Sequence, residues 1–206
     1  MSIPDYQNQI RVMQSTSKNL SKDHSKSNGQ AINKKANNSH LMELFEEQLK
    51  DILWAEKALI KAIPKMITLA TSDNLILVLT DHLHQTHEHI VRLAQVFRSI
   101  DKKQSTIKCD AMQGLIEEAS VLMEECEKGP RCDAGIIAAA QKIEHYEIAT
   151  YGTLRQFAET LGLNEAEMLL MKTLNEEKAA DQKLTEVALH GVNEEAATEQ
   201  AQERQI

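Results

Sequence analysis

Apolar residues recur every three or four positions through most of the chain, and this helical spacing predicts five amphipathic segments. Four are long and one is short, at about residues 40–70, 73–100, 111–127, 133–161 and 164–190. Long helices joined by short turns bury their apolar stripes most simply as an up-and-down bundle. The connection from 101 to 132 is long and carries the short segment, so the second and third long helices can lie parallel. This pattern predicts an all-α, ferritin-like four-helix bundle with a short extra helix in its crossover.

The two ends of the chain lack this spacing. Residues 1–38 are rich in Ser, Asn, Gln and Lys and scatter their few apolar residues without a period, which predicts a disordered, basic and polar head. Residues 192–206 are acidic and follow Gly191, which predicts a flexible tail. The predicted folded unit is therefore residues 39–191.

Composition agrees with a helical protein. Gly and Pro together number 10 and aromatic residues make up 3% of the chain, so turn formers are too few for a fold of many short strands. The longest apolar run is far shorter than the roughly 20 residues that span a bilayer. The start of the chain does not have the pattern of a secretory signal. We therefore expect a soluble, cytoplasmic protein.

The net charge of −8 is unevenly distributed. Residues 1–39 carry six Lys/Arg and two Asp/Glu, whereas the remainder carries 17 against 29. An acidic body is a poor surface for nucleic acid or anionic lipid, so only the basic head is a candidate tether to nucleic acid. The three cysteines, Cys109, Cys126 and Cys132, have no metal-binding spacing and are expected to be reduced thiols that pack in the core, without a disulfide framework.

Several polar side chains fall on helix faces that should be apolar when residues are placed at about 100° per position. On the first long helix, Glu56 lies at the centre of the stripe. On the second, His87 lies inside the stripe and His84 at its flank, where their i, i+3 spacing lets both reach one point. His82 and His89 fall on the opposite side and are expected to face solvent.

The last two long helices add carboxylates at the same level. Glu144 and Glu147 lie in the stripe of the third long helix, and Glu177 and Asp181 in that of the fourth. Tyr151 lies on the same stripe and is expected to be a core residue whose hydroxyl can hydrogen-bond a ligand.

Five inward carboxylates on three helices would repel one another unless they are protonated or neutralised. No Lys or Arg lies centrally in the stripes. One or two divalent ions would neutralise them, and carboxylate with imidazole suits iron, manganese or zinc. The spacing therefore predicts a metal site with the ligands Glu56, His84, His87, Glu144, Glu147, Glu177 and Asp181. A single interior Glu or His, however, is more often a satisfied core or rim residue, and agreement among four helices is what favours metal.

The chain resembles the YciE/YciF-like proteins of the ferritin-like superfamily over about residues 40–192. The stretches that carry the resemblance are DILWAEKAL, LHQTHEHI, IKCDAMQGLIEEA, IIAAAQKIEHYEIATYGTL and TLNEEKAADQKL. It implies a four-helix bundle with a crossover helix, a frequent homodimer and a link to bacterial stress responses, without an assigned biochemical activity.

The wider superfamily holds two metals with one Glu from each of two helices and Glu-x-x-His from each of the others. By this resemblance Glu56, Glu144 and His87 match ligands, and Glu147 is a second carboxylate as in rubrerythrins. His84 stands where a bridging Glu is usual, and Ala180 follows Glu177 where a His is usual, with Asp181 as a possible substitute. A single metal and an asymmetric pair both stay open.

Three functions follow from this sequence. The first is an oxidoreductase or peroxidase whose iron reacts with dioxygen or peroxide. The second is a non-enzymatic, metal-binding or iron-sequestering stress protein or interaction module. The third is a structural helical dimer without metal, for which Glu56→Gln or Glu144→Gln would stabilise the fold because a buried charge is removed.

Overall fold

The structure is a computed structural model that describes residues 39–199. The whole predicted head, residues 1–38, and residues 200–206 of the predicted tail lie outside the described residues. Within them the fold is all-α, as the sequence predicts. The helices are α1 His40–Leu69, α2 Asp73–Ser99, α3 Asp110–Glu125, α4 Pro130–Thr160 and α5 Asn164–Val187, followed by a π-helical turn, Ala188–Val192, and α6 Asn193–Thr198.

Local sequence signals set the helix starts. The hydroxyl of Ser39 accepts a hydrogen bond from the backbone N–H of Met42, 3.2 Å away, and Ser72 caps α2 in the same way. Pro130 occupies the first turn of α4, where its missing N–H is tolerated, so α4 begins three residues before its predicted start. Gly162, with φ 69°, makes the tight turn between α4 and α5.

The four long helices form a bundle in which α1, α2, α5 and α4 are successive neighbours around the ring. The end of α1 lies beside the start of α4, because Asp133 accepts hydrogen bonds from the backbone N–H groups of Thr71 and Ser72. Since α1 is antiparallel to both α2 and α4, these two run in the same direction. This is the predicted crossover arrangement.

The crossover helix α3 is fixed to the bundle through a buried cysteine. Cys109 lies at the N-cap of α3, and its sulfur is 3.3 Å from the backbone nitrogen of Met112, which donates to it. The Tyr146 hydroxyl donates to Asp51 at 2.7 Å and lies 2.9 Å from the Cys109 sulfur, so the thiol donates to the hydroxyl. These hydrogen bonds connect the start of α3 to Tyr146 on α4 and to Asp51 on α1.

Two expectations differ from the structure. Cys126 and Cys132 form a disulfide, because the turn into α4 brings their Cα atoms to 5.5 Å, within bonding range; only Cys109 of the three is a free thiol. The helical part also extends past the predicted end at residue 191, because the buried Val192 packs into the core; the flexibility of the tail stays a prediction. Among the described residues, no helix is long and apolar enough to cross a membrane.

Candidate metal centre

Six ionisable side chains converge in the core, and all four long helices contribute. Each is at most 5% exposed. The set comprises Glu56 on α1, His82 and His89 on α2, Glu144 and Glu147 on α4, and Glu177 on α5.

These side chains form two groups that share one carboxylate. His82, Glu144, Glu147 and Glu177 each offer a ligand atom within 4.8 Å of the others, and so do Glu56, His89 and Glu177. His82 Nε2 lies 3.2 Å from Glu144, and His89 Nδ1 lies 3.0 Å from Glu177 and 3.3 Å from Glu56. Glu177 therefore belongs to both groups and would be shared if each group held an ion.

The centre contains every buried side-chain nitrogen or oxygen that lacks a hydrogen-bond partner in the described part of the chain. There are nine such atoms, including both oxygens of Glu147 and Glu177 and both ring nitrogens of His82. Leaving a buried polar atom unpaired costs about 1–3 kcal/mol, and more if the group is charged. Nine in one place indicate a site built for a ligand that takes their lone pairs. Carboxylate oxygens and imidazole nitrogens fit a first-row divalent metal ion.

Without metal, three of the four carboxyl groups are shifted toward their neutral forms. Burial, reinforced by the charge of Glu177, raises the pKa of both Glu144 and Glu147 well above the ordinary value. Burial also raises the pKa of Glu56, although the nearby His89 opposes the change. Two divalent ions would match the four carboxylates in charge and remove the need for these protons.

The two histidines respond differently to burial. Burial lowers the pKa of His82. Burial also acts to lower the pKa of His89, but the neighbouring Glu177 and Glu56 carboxylates outweigh it and raise the pKa to about 10. For Glu177, burial is outweighed by contact with His89, so its pKa is lowered. In the metal-free protein, His89 and Glu177 therefore form a buried ion pair.

Residues around the centre contact its ligands. Tyr151, fully buried, donates a hydrogen bond to Glu56, as the sequence analysis expected of a residue next to the site. On the opposite side, His89 Nε2 lies 3.0 Å from Glu176, which also pairs with the buried Arg92.

The buried histidines of α2 are not the two that the apolar stripe predicts. His84 and His87 are exposed, whereas His82 and His89 are buried. The buried face of α2 runs through Leu75, Leu79, His82, Thr86, His89, Leu93 and Val96. Because its central positions are polar, a stripe drawn through apolar residues alone was displaced toward partly buried neighbours such as Leu83 and Ile90. The apolar pairs near the two ends of α2, Leu75–Leu79 and Leu93–Val96, have the three- and four-residue spacing of a helix and do predict the buried face.

Two further expectations are corrected. Asp181 lies at the edge of the bundle, where it accepts a hydrogen bond from Gln141 and lies 3.4 Å from His145, and it belongs to neither ligand group. A cation also faces inward, since Arg92 is only 7% exposed. Sequence reasoning missed it because Arg92 lies one position away from the apolar Leu93. The remaining predicted ligands, Glu56, Glu144, Glu147 and Glu177, are brought together by the structure.

The ligand set departs from two Glu-x-x-His pairs. On α2 the pair becomes Thr86-x-x-His89, and the Thr86 hydroxyl donates to the His82 carbonyl at 2.9 Å. On α5 it becomes Glu177-x-x-Ala180. His82, one turn before Thr86, supplies the second imidazole from α2, while Glu147 supplies an additional carboxylate.

The chain is similar in sequence to a known protein family. A family model described as a domain of unknown function, DUF892, matches residues 40–197. The chain belongs to this family. The Escherichia coli K12 protein YciF is 46% identical over 155 residues, which cover 75% of this chain and 93% of YciF. The family therefore includes YciF-like proteins.

Two solved structures share the fold. The crystal structure of the E. coli stress protein YciF has a TM-score of 0.72 and 46% identity, covering 75% of this chain and 98% of that chain. YcfI from Rhodopseudomonas palustris, provisionally described as a structural protein, has a TM-score of 0.69 and 45% identity, covering 71% and 94%. The helical bundle is thus shared with YciF, as the resemblance implied.

Proposed function

We propose that this protein binds two divalent transition-metal ions at the bundle centre and that the loaded centre reacts with peroxide or dioxygen. Glu56, His89 and Glu177 would hold one ion, and His82, Glu144, Glu147 and Glu177 the other. The nine buried polar atoms without a hydrogen-bond partner carry this proposal, since among the described residues only unaligned contacts within the centre reach them. The mixture of carboxylate and imidazole favours iron or manganese, with zinc as the redox-inactive alternative.

When bound, two ferrous ions supply one electron each, which with two protons reduce one hydrogen peroxide to two waters. The protein's part is to hold the ligands and exclude bulk water. The six ligands are at most 5% exposed, so the reacting oxygen species would be separated from solvent. The E. coli relative is described as a stress protein, and removal of peroxide or ferrous iron is a chemistry that suits such a role. We further propose that the protein is cytoplasmic and that it forms a homodimer. Light scattering of the purified protein tests the dimer.

A second candidate is a structural protein that binds metal without turnover. The description of the R. palustris neighbour favours it, as does the replacement of two ligands of the dinuclear pattern by Thr86 and Ala180. Metal would then contribute stability only, by tying the four helices together.

The deciding experiment begins with metal content. Protein purified without chelator or affinity tag is analysed by inductively coupled plasma mass spectrometry, and metal-free protein is titrated with ferrous ion under anaerobic conditions. One equivalent of hydrogen peroxide per two irons is then added, and peroxide loss and ferric formation are followed in a single turnover. Glu144→Ala is the test variant. Glu118→Ala is the matched control, because Glu118 is an exposed glutamate of α3 that pairs with Lys142.

We expect two ions per chain and rapid peroxide loss in the wild type. Glu144→Ala should lose one ion and the rapid peroxide reaction, whereas Glu118→Ala should keep both ions and the reaction. Two bound ions without faster peroxide loss than free ferrous ion would favour the structural candidate. No metal uptake by the folded wild-type protein would overturn both candidates and leave a helical scaffold.

A further inference from the structure

The two histidines of the centre are held in different ways. His89 is in polar contact at both ring nitrogens: Nε2 lies 3.0 Å from Glu176, and Nδ1 faces Glu177 and Glu56 at 3.0 and 3.3 Å without an aligned hydrogen bond. Because a carboxylate only accepts hydrogen bonds, Glu176 places the proton on Nε2. Nδ1, which pairs with Glu177 when no metal is bound, is then the nitrogen that faces the centre, and it would become a ligand once an ion displaces its proton.

Glu176 is itself held in place by a buried arginine. Arg92 Nη1 lies 2.7 Å from one oxygen of Glu176 and Nη2 lies 3.2 Å from the other, which is a two-pronged contact. Nη1 also donates to the hydroxyl of Thr173 at 2.6 Å. Such a fork restricts the carboxylate in both position and rotation. A rigid chain of Arg92, Glu176 and His89 thus links α2 and α5 beside the centre.

The other histidine has no equivalent support. Both ring nitrogens of His82 lack a hydrogen-bond partner, and its closest carboxylates are candidate ligands themselves. Gln85, three residues along the same helix, also interacts with the ring, but no aligned hydrogen bond fixes the His82 tautomer. A ligand that must be ordered on binding costs free energy that a pre-oriented ligand does not.

We propose that Arg92 and Glu176 are positioning residues that make the two metal positions unequal. The position formed by Glu56, His89 and Glu177 takes the first ion tightly, and the position that contains His82 takes the second more weakly. This inference rests on the proposed metal centre and adds which half of it is filled first and why. The ion held at the position that contains His82 is therefore the one that exchanges more readily with metal in solution.

The test is an anaerobic titration of metal-free protein with Co²⁺, whose visible ligand-field absorption reports the ligands of each step. Glu176→Ala removes the partner of His89. Because this variant leaves Arg92 buried without its counter-charge, the double variant Arg92→Met/Glu176→Ala is measured beside it. The matched control is Glu167→Ala, which breaks the Arg155–Glu167 pair between α4 and α5 at similar exposure, away from the centre.

We expect two resolved steps in the wild type. In both Glu176 variants the first step weakens by about 10- to 100-fold with a changed spectrum, and the second is unchanged. The control keeps both steps. His89→Ala should remove the tight step, and His82→Ala the weak one.

Other results would overturn the inference. An unchanged first step in a folded Glu176 variant would do so, and so would equal weakening of both steps or loss of the tight step in His82→Ala. These results would leave the proposed metal centre intact. A wild-type protein that takes up no Co²⁺ and no ferrous ion would overturn the proposed function together with this inference.

Discussion

Glu147 is the residue that most clearly separates a metal-binding core from a structural one. It is fully buried, and neither of its carboxylate oxygens has a hydrogen-bond partner. In the metal-free protein, Glu147→Gln removes the cost of protonating this group at neutral pH with little change in shape. We expect the free energy of unfolding in urea to rise by about 1–3 kcal/mol. In the metal-loaded protein the same change removes a ligand, so stability should fall.

The control for this substitution is Glu88→Gln, since Glu88 is an exposed glutamate of α2. It should change stability little in either form. If Glu147→Gln left the metal-free protein no more stable than Glu88→Gln does, the buried carboxyl would be satisfied in a way that the hydrogen-bond geometry does not show.

The same residues give the metal-free protein a distinctive pH dependence. The raised pKa of Glu144 and Glu147 means that the native form holds more protons than the unfolded chain above their ordinary value of 4.5. Their stabilising effect is complete below that value and is lost as pH rises. His89 acts in the same direction, with its contribution present below 6.5 and lost through about 10. Glu177, whose pKa is lowered, acts oppositely only as pH falls through 4.5. His82, whose pKa is lowered, acts oppositely below 6.5.

We therefore expect the free energy of unfolding of metal-free protein to decrease between about pH 6.5 and about pH 9. With metal in excess the trend should reverse, because the ligands must lose protons to bind. Urea midpoints at several pH values, with and without metal, provide the measurement. Parallel curves for the two forms would contradict the assignment of these residues as ligands.

At the scale of the element, α2 decides which histidines belong to the centre. His82 and His89 are buried, and His84 and His87 are exposed on the same helix. We expect His82→Ala and His89→Ala each to reduce the metal bound per chain by one ion, measured by mass spectrometry after dialysis. His84→Ala and His87→Ala serve as controls on the same helix and should retain the wild-type content. Loss of metal in either control, with retention in His82→Ala, would restore the sequence-based assignment.

This helix also shows what sequence could and could not predict. The apolar spacing predicted all five segments and the crossover, and it predicted four of the six side chains that converge at the centre, because Glu56, Glu144, Glu147 and Glu177 interrupt clear apolar stripes. On α2 the interruption is longer. Because His82, Thr86 and His89 occupy consecutive turns of the buried face, the middle of that face has no apolar residues. A stripe drawn through apolar residues alone therefore shifts to the flanking positions.

Contacts between different helices could not be predicted from the apolar spacing of each helix. The pairing of Glu176 with Arg92 depends on the register of α5 against α2, which no single helix reveals. The disulfide between Cys126 and Cys132 likewise depends on how the chain turns into α4, since a separation of six residues does not by itself bring two Cα atoms to 5.5 Å.

At the scale of the whole molecule, the centre joins all four long helices, because every one of them supplies a ligand. Metal that binds only the native bundle stabilises it by about 2.7 kcal/mol at a free concentration 100 times the Kd. Chelation should therefore lower the thermal midpoint of the entire bundle. The chain has one tryptophan, Trp54, which is partly buried against the core on α1, so its fluorescence reports the packing of that helix while far-ultraviolet circular dichroism reports all helices. We expect both signals to shift together on chelation and to recover together when metal is restored. If fluorescence changed while the circular dichroism midpoint stayed fixed, the ion would be a local ligand of α1 and its neighbours and not a link among the four helices.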